Sequence, residues 1–223
     1  RESAFGLSEI EGEDIWRCTT CGRCPEQCPR GVNQIQLGVA LRRIASEYEI
    51  FPQSVRPART ARASLISEGN PLQGERKSRG EWAKDLGVKE FTEDMEVLFF
   101  VGCYLSYDPR LKKVAEAIAK ILAAAEVSFG ILGDKENCCG ESIRKIGSEQ
   151  VFRTLAKENI KTFIDQGVKK IVVASPHCYH TFANEYPEFM VHFEVIHISE
   201  YIQELLRTGR LKMSKEYAKR VTF

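Results

Sequence analysis

The apolar positions of the chain change period along its length. Ile35, Leu37, Val39, Leu41 and Ile44 fit a short amphipathic helix imperfectly, with Asn33 as its cap. A second helix is expected over 58–66, before Glu68-Gly69-Asn70-Pro71 breaks the pattern. From Met95 short apolar runs alternate with long amphipathic stretches. Val97–Val101 reads as a buried strand, and 109–125 as a helix with Leu111, Val114, Ala115, Ile118, Ile121 and Leu122 on one face. Strand 127–132 follows, then helix 148–166 with Val151, Phe152, Leu155, Ile160 and Ile164 inward and Gly167 ending it. Strands over 170–174 and 193–198 complete the series, and Ser199 caps a helix through Leu206. Such alternation predicts an α/β fold with a parallel sheet.

The eight cysteines fall on this pattern in two sets. Cys18, Cys21, Cys24 and Cys28-Pro29 have C-x2-C-x2-C-x3-C-P spacing, the iron-sulfur run in which three thiolates hold one cubane and the fourth reaches another. A [4Fe–4S] cluster is expected there, with Cys28 as a ligand to a second cubane. Zinc and a purely structural set of thiols are the competing readings; structural zinc usually pairs two hooks across a longer gap. Ile15 and Trp16 would cover the loop. Cys103, Cys138, Cys139 and Cys178 each follow a predicted strand, where open parallel sheets place their sites. Thirty-four and thirty-eight residues separate them, each gap one strand-helix excursion, so these thiols are expected to converge. Three readings stay open: a metal or iron-sulfur centre, a thiol-disulfide centre needing an exposed low-pKa member, and buried cysteines packing as small hydrophobes. Gly140 permits the unusual loop that adjacent cysteines require.

Composition narrows the class. The 223 residues are 43% apolar, enough for a core, and the formal charge of +1 gives no global reason to seek nucleic acid. Arg56, Arg59, Arg62, Arg76, Lys77 and Arg79 gather in one stretch, read as a solvated connector, with a docking surface for an acidic partner as the alternative. Clustered and adjacent cysteines argue against a disulfide framework and for a reducing compartment. No apolar run is long enough to span a bilayer. A cytoplasmic location is expected, with peripheral attachment to the inner face of the membrane through a partner as a variant. The sequence opens at Arg1 without a methionine and stops at Phe223 as a β-prone run begins, so part of the working protein is expected to lie outside it.

Several motifs together resemble one family. Trp16-Arg-Cys18-Thr-Thr-Cys21, Cys28-Pro-Arg-Gly-Val32, Val101-Gly-Cys103, Asn137-Cys-Cys-Gly-Glu141, Ser175-Pro-His-Cys-Tyr-His180 and Asn184-Glu-Tyr-Pro187 resemble iron-sulfur subunits of the heterodisulfide reductase superfamily. The fused type joins a ferredoxin-like module to cysteine-rich "CCG" domains. The resemblance implies a small, mainly helical ferredoxin-type iron-sulfur module over 1–50, a helical, basic connector over 51–94, and a parallel-sheet CCG domain over 95–223. It implies a non-cubane [4Fe–4S] or other metal centre on Cys103, Cys138, Cys139 and Cys178. Ser175 stands where the family has another cysteine, which weighs against a full cluster and for a degenerate domain; a second, complete CCG domain is expected beyond Phe223.

The implied function is an iron-sulfur oxidoreductase subunit that passes electrons between a redox partner and a thiol/disulfide or quinone-linked centre. A non-catalytic electron-transfer or scaffold subunit is the alternative. Cys138, Cys139 and His177 are the candidate catalytic residues, His177 as a hydrogen-bond donor to sulfur or a proton source. A flavoprotein or a membrane cytochrome is the expected partner, and a thiol/disulfide the expected substrate. His180, His192 and His197 are read as structural, Glu141 as a helix cap, and Tyr104, Tyr107 and Tyr179 as packing around the sulfurs.

Overall fold

The computed structural model describes residues 13–52, 55–213 and 215; the opening stretch 1–12 and the β-prone run 220–223 fall outside the described residues. A mainly helical segment comes first: α1 (Asp14–Arg17), α2 (Arg23–Gln27), α3 (Gln34–Glu47) and α4 (Arg56–Glu68). There follow β1 (Val97–Phe100), α5 (Cys103–Tyr107), α6 (Lys112–Ala124), β2 (Phe129–Gly130), α7 (Glu141–Lys145) and α8 (Glu149–Asp165). The chain closes with β3 (Lys170–Val173), α9 (Pro176–His180), β4 (Glu194–His197) and α10 (Ile198–Arg207). The four strands form one parallel sheet in the order β2-β1-β3-β4.

Alternation along the strands divides the core. Leu98, Phe100, Ile171 and Val173 face α8, where Phe152, Leu155 and Phe163 meet them together with Phe182 and Tyr186. Val97, Phe99 and Val172 point the other way, onto Ala115, Ile118 and Leu122 of α6 and Tyr201 and Leu205 of α10. Burial on both faces explains why β1 reads as an unbroken apolar run. Each fully buried Phe or Leu contributes roughly 1.5–3 kcal/mol relative to exposure.

Local departures from the expectations have simple causes. Asn33 caps α3 as expected, its Oδ1 accepting from Gln36 N at 3.1 Å. The 109–125 helix starts instead at Lys112, because Asp108 Oδ1 accepts from the backbone N–H groups of Arg110 and Leu111 and turns the chain between α5 and α6. Strand 127–132 shortens to two residues at the sheet edge. On α8 the inward stripe runs through Phe163 and leaves Ile164 exposed. Ser199 lies inside α10; the cap is His197, whose Nδ1 accepts from Ser199 N while Nε2 donates to Ala174 O.

Arg59, Arg62 and Lys77 of the connector are exposed as expected, but its end is not solvated. Arg79 is 2% exposed and pairs with the equally buried Glu136 at 2.7 Å. Asn70, fully buried, folds the preceding turn on itself: its Nδ2 donates to Gly74 O, and its Oδ1 accepts from Leu72 N and Gly74 N. Arg42 of α3 ties the helical segment to the sheet domain, donating to Ile15 O, Cys18 O and Lys145 O.

Candidate thiol site

Three strand ends build the second cysteine set. β1 runs into Gly102, whose φ of +79° turns the chain so that Cys103 opens α5. Cys138 and Cys139 lie in the loop before α7, and Gly140 (φ +91°) makes the turn into that helix. β3 leads to α9, which carries Cys178 on its inner side. All four are buried. The loop of the adjacent pair is held from behind by two fully buried polar side chains. Asn159 of α8 donates to Cys138 O at 2.9 Å and to the Tyr186 hydroxyl at 3.0 Å, and Tyr186 donates to Cys139 O at 3.1 Å.

The thiols form a row. Cys103 hydrogen-bonds to Cys138, Cys138 to Cys139, and Cys139 to Cys178. Donation to Cys138, followed by burial, drives the Cys103 thiol well above its ordinary value. At Cys138 the bond received from Cys103 pulls down, but the Cys139 thiol and burial outweigh it and push it up to about 12. Cys139 follows the same logic: Cys138 pulls down, while Cys178 and burial win and raise it well above the usual range. Cys103, Cys138 and Cys139 are therefore held protonated.

One cation reaches it. Arg79 Nη2 lies 3.5 Å from Cys103 Sγ and 2.7 Å from Glu136 Oε1. Glu136 in turn accepts from Val101 N and Gly102 N, both at 2.9 Å, fixing the turn that presents Cys103. Burial opposes the charge on Arg79, but Cys103 and Glu136 outweigh it and hold the guanidinium charged. The connector adds two more bonds: Gly69 O accepts from Cys138 N at 2.7 Å, and Arg76 Nη1 donates to Asn137 Oδ1 at 2.7 Å.

The first cysteine set is arranged differently. Cys18, Cys21 and Cys24 are exposed and Cys28 is half-buried, with Cys24 inside α2 and Cys18 and Cys28 at extended helix ends. Backbone N–H groups, of Arg23 at Cys21 and of Val32 and Arg30 at Cys28, draw both thiols below their ordinary values. Trp16 packs 5.5 Å from Phe51 with the rings tilted by 43°.

The cofactor expectation is corrected by this geometry. Among the described residues, no three or more Cys, His, Asp or Glu side chains group so as to hold a metal ion. The [4Fe–4S] cluster expected on Cys18, Cys21, Cys24 and Cys28, the second cubane at Cys28, and the non-cubane or other metal centre on Cys103, Cys138, Cys139 and Cys178 do not fit the arrangement. The iron-sulfur and metal-binding assignments fall with them. The first set stays open toward solvent, and in the second, buried set each thiol is taken up by a neighbouring thiol.

His177 is exposed on α9 with its Nδ1 3.4 Å from Glu141 Oε1, pointing to a cleft and not to a sulfur. That cleft, about 870 Å³, lies between the Cys21 loop and α9 and is lined by Arg43, Glu141, Arg144, His177 and His180. Glu141 sits in the first turn of α7 behind Gly140, the N-cap. Tyr104 is exposed, Tyr107 lies under the Arg79 guanidinium at 5.7 Å, and Tyr179 packs against the core.

Arg79, Glu136, Asn159 and Tyr186 carry the site without having been singled out by residue chemistry. Asn159 had a legible signal, an amide on the inward stripe of an amphipathic helix, which burial obliges to find partners.

Residues 97–183 match the family of the cysteine-rich CCG domain. The chain carries a CCG domain. It is 36% identical to the EtfAB:quinone oxidoreductase of Syntrophomonas wolfei, across 100% of this chain and 32% of that protein. It is 39% identical to the probable iron-sulfur-binding oxidoreductase FadF of Bacillus subtilis, across 96% and 31%. A dihydromethanophenazine:CoB–CoM heterodisulfide reductase subunit of Methanosarcina mazei is 30% identical, across 97% and 53%. The chain thus spans about a third of the first two relatives and about half of the third. No solved structure matches it. The chain is similar to parts of iron-sulfur and heterodisulfide-reductase-type oxidoreductases. Among the described residues no helix is long and apolar enough to cross a membrane.

Proposed function

We propose that the chain is a redox component of a heterodisulfide-reductase-like oxidoreductase, passing electrons between a redox partner and a thiol/disulfide or quinone-linked centre, with the buried thiol row as its reactive element. The observation that carries this reading is the row itself: four contiguous thiols at the carboxyl edge of a parallel sheet, on three separate loops. A structural role for buried cysteines would not require them to touch in sequence, nor a buried guanidinium beside one of them. The names of the relatives supply the rest: a quinone oxidoreductase, an iron-sulfur-binding oxidoreductase and a heterodisulfide reductase subunit. A flavoprotein or membrane cytochrome is the partner in keeping with these, and the fused ferredoxin-type-plus-CCG organisation, divided at 1–50, 51–94 and 95–223, is the architecture proposed for the chain.

The chemistry requires a row thiol to be uncovered and deprotonated against the burial that keeps Cys103, Cys138 and Cys139 neutral, an external disulfide, and a redox partner that returns two electrons with two protons. A thiol of the row loses its proton and attacks one sulfur of an external disulfide; the departing thiolate takes a proton and leaves as a thiol. A second row thiol then attacks the mixed disulfide, closing an intramolecular bond and releasing the second thiol. Two row thiols are oxidised, one disulfide is reduced, and two electrons from the redox partner restore the row. Cys103 with Cys138, and Cys139 with Cys178, link separate loops, whereas Cys138 with Cys139 would close a bond between neighbours in sequence. Cys138 and Cys139 are the proposed reacting residues. His177 is the proposed proton source for the leaving thiolate.

Anaerobic incubation with glutathione disulfide, followed by mass-spectrometric mapping, tests the reading. The expected product is one intramolecular disulfide within the row, with a stoichiometric gain of glutathione, and Cys138→Ser should reduce its yield by at least about tenfold. Persistence of all four row thiols while the loop thiols at Cys21 and Cys28 react would contradict it.

A further inference from the structure

The row must be reached, and in the folded chain all four thiols are covered. At the Cys103 end the cover is a single segment, Gly69–Arg79. Its hold on the site is polar throughout: Gly69 O on Cys138 N, Arg76 on Asn137, and Arg79 on Cys103 Sγ and Glu136. Tyr107 fixes its middle, donating to Glu75 O at 3.2 Å, and a side chain at Gly74 would collide with the Tyr107 ring. Leu72 contributes the segment's apolar contact with the core. Internally the segment is braced by Asn70, and it is tied back to the end of α4, where Ser64 Oγ donates to Asn70 O and accepts from Gln73 N, and the Glu68 carboxylate accepts from Arg76 N, so the two move together. Gly69, with φ of +68°, ends α4. At the other end of the row Cys178 lies beneath α9, covered by packing and not by such a segment.

We infer that Gly69–Arg79 is a strap over the Cys103–Cys138 end of the row, and that Arg79 is its latch and the positioning residue of Cys103. With Leu72 as its apolar contact, the segment opens by breaking hydrogen bonds, the buried Arg79–Glu136 pair and little apolar packing. Opening withdraws the guanidinium from Cys103 and the Gly69 carbonyl from the Cys138 amide together, so one motion exposes two adjacent thiols. Glu136 stays behind, still bound to Val101 N and Gly102 N, so the turn carrying Cys103 persists when the strap lifts. The sheet domain therefore supplies a fixed thiol end, and the connector a removable cover. The role of the strap in exchange rests on the reading of the row as the redox element; its existence as a gate does not.

Site-resolved labelling kinetics with N-ethylmaleimide, and in parallel with a polyethylene-glycol maleimide, test the inference by accessibility alone and so separately from any redox assay. Relative to the unaltered chain, Arg79→Gln should raise labelling of Cys103 and Cys138 by about tenfold or more, since exchange through local opening scales with the opening equilibrium. Cys178 should change less than about twofold, and Arg79→Lys should fall between. Arg76→Gln, which removes the Asn137 bond at a less buried position, gives the same pattern at smaller amplitude and serves where Arg79→Gln does not fold. Equal acceleration at all four cysteines, or none at Cys103 and Cys138 in both variants, would overturn the strap. If glutathione disulfide then fails to oxidise the row in a strap-open variant, the redox reading falls while the gate stands.

Discussion

Asn159 shows how much a single side chain can decide. Its amide occupies the inward face of α8, donates to Cys138 O and Tyr186, and accepts from Asn137 N at 3.3 Å. Replacing it by alanine strands buried carbonyl and amide groups in the loop that holds the adjacent cysteines. Asn159→Ala should cost roughly 1–3 kcal/mol in urea unfolding, and Tyr186→Phe, which strands Cys139 O and one Asn159 amide hydrogen, somewhat less. A different balance holds at Glu96. Arg210 first, and then Tyr201, hydrogen-bonds to its carboxylate and holds it below the ordinary carboxylate range. The stabilisation is therefore present above the unfolded value and is lost as pH falls through the lower folded value. Both side chains of the ion pair are more than a third exposed, so the contribution is modest, about 1 kcal/mol at most. Glu96→Gln should accordingly lower stability near neutral pH, and the gap to the unaltered chain should close below about pH 4.

At the scale of elements, the glycine before α7 joins the cysteine pair to the core. Gly140 has φ of +91°, and a β-carbon there would meet Phe152 at 2.7 Å. Gly140→Ala should destabilise the chain by roughly 1–3 kcal/mol, with disproportionate loss of amide protection at Cys139 and Glu141 in hydrogen exchange. The strands, the long helices and the arrival of four cysteines at strand ends were all legible in the sequence, because period and Gly/Asn punctuation report local geometry. The connector was not. A cluster of arginines in a polar, Pro- and Gly-containing stretch looks solvated, and nothing local says that Arg79 faces Glu136 and Cys103 across the chain. His197 as the cap of α10 was hidden for a related reason: a histidine at a strand end caps only when its other nitrogen has a partner, here Ala174 O on β3. The spacing of Cys18 to Cys28 gave the strongest local signal, and it overreached. Spacing permits thiols to converge, whereas α2 and the extended residues beside it spread them.

For the whole molecule, α3 and the connector bring two cysteine environments of opposite character onto one sheet. The loop of Cys21 and Cys28 is open, with thiols drawn toward the thiolate; the row from Cys103 to Cys178 is buried, with Cys103, Cys138 and Cys139 held neutral. Arg42 locks the two together, and Gly147, where a β-carbon would collide with the Arg42 backbone, lets α3 come close enough for that bond. The central claim is that the buried row stores two electrons as thiols. An equilibrium redox titration of the row in dithiothreitol buffers, read by quantitative mapping of each cysteine, tests it most directly. The account predicts one two-electron transition confined to Cys103, Cys138, Cys139 and Cys178, with a tenfold change in oxidised-to-reduced ratio per about 30 mV. Four row thiols that stay reduced until the chain unfolds would contradict it.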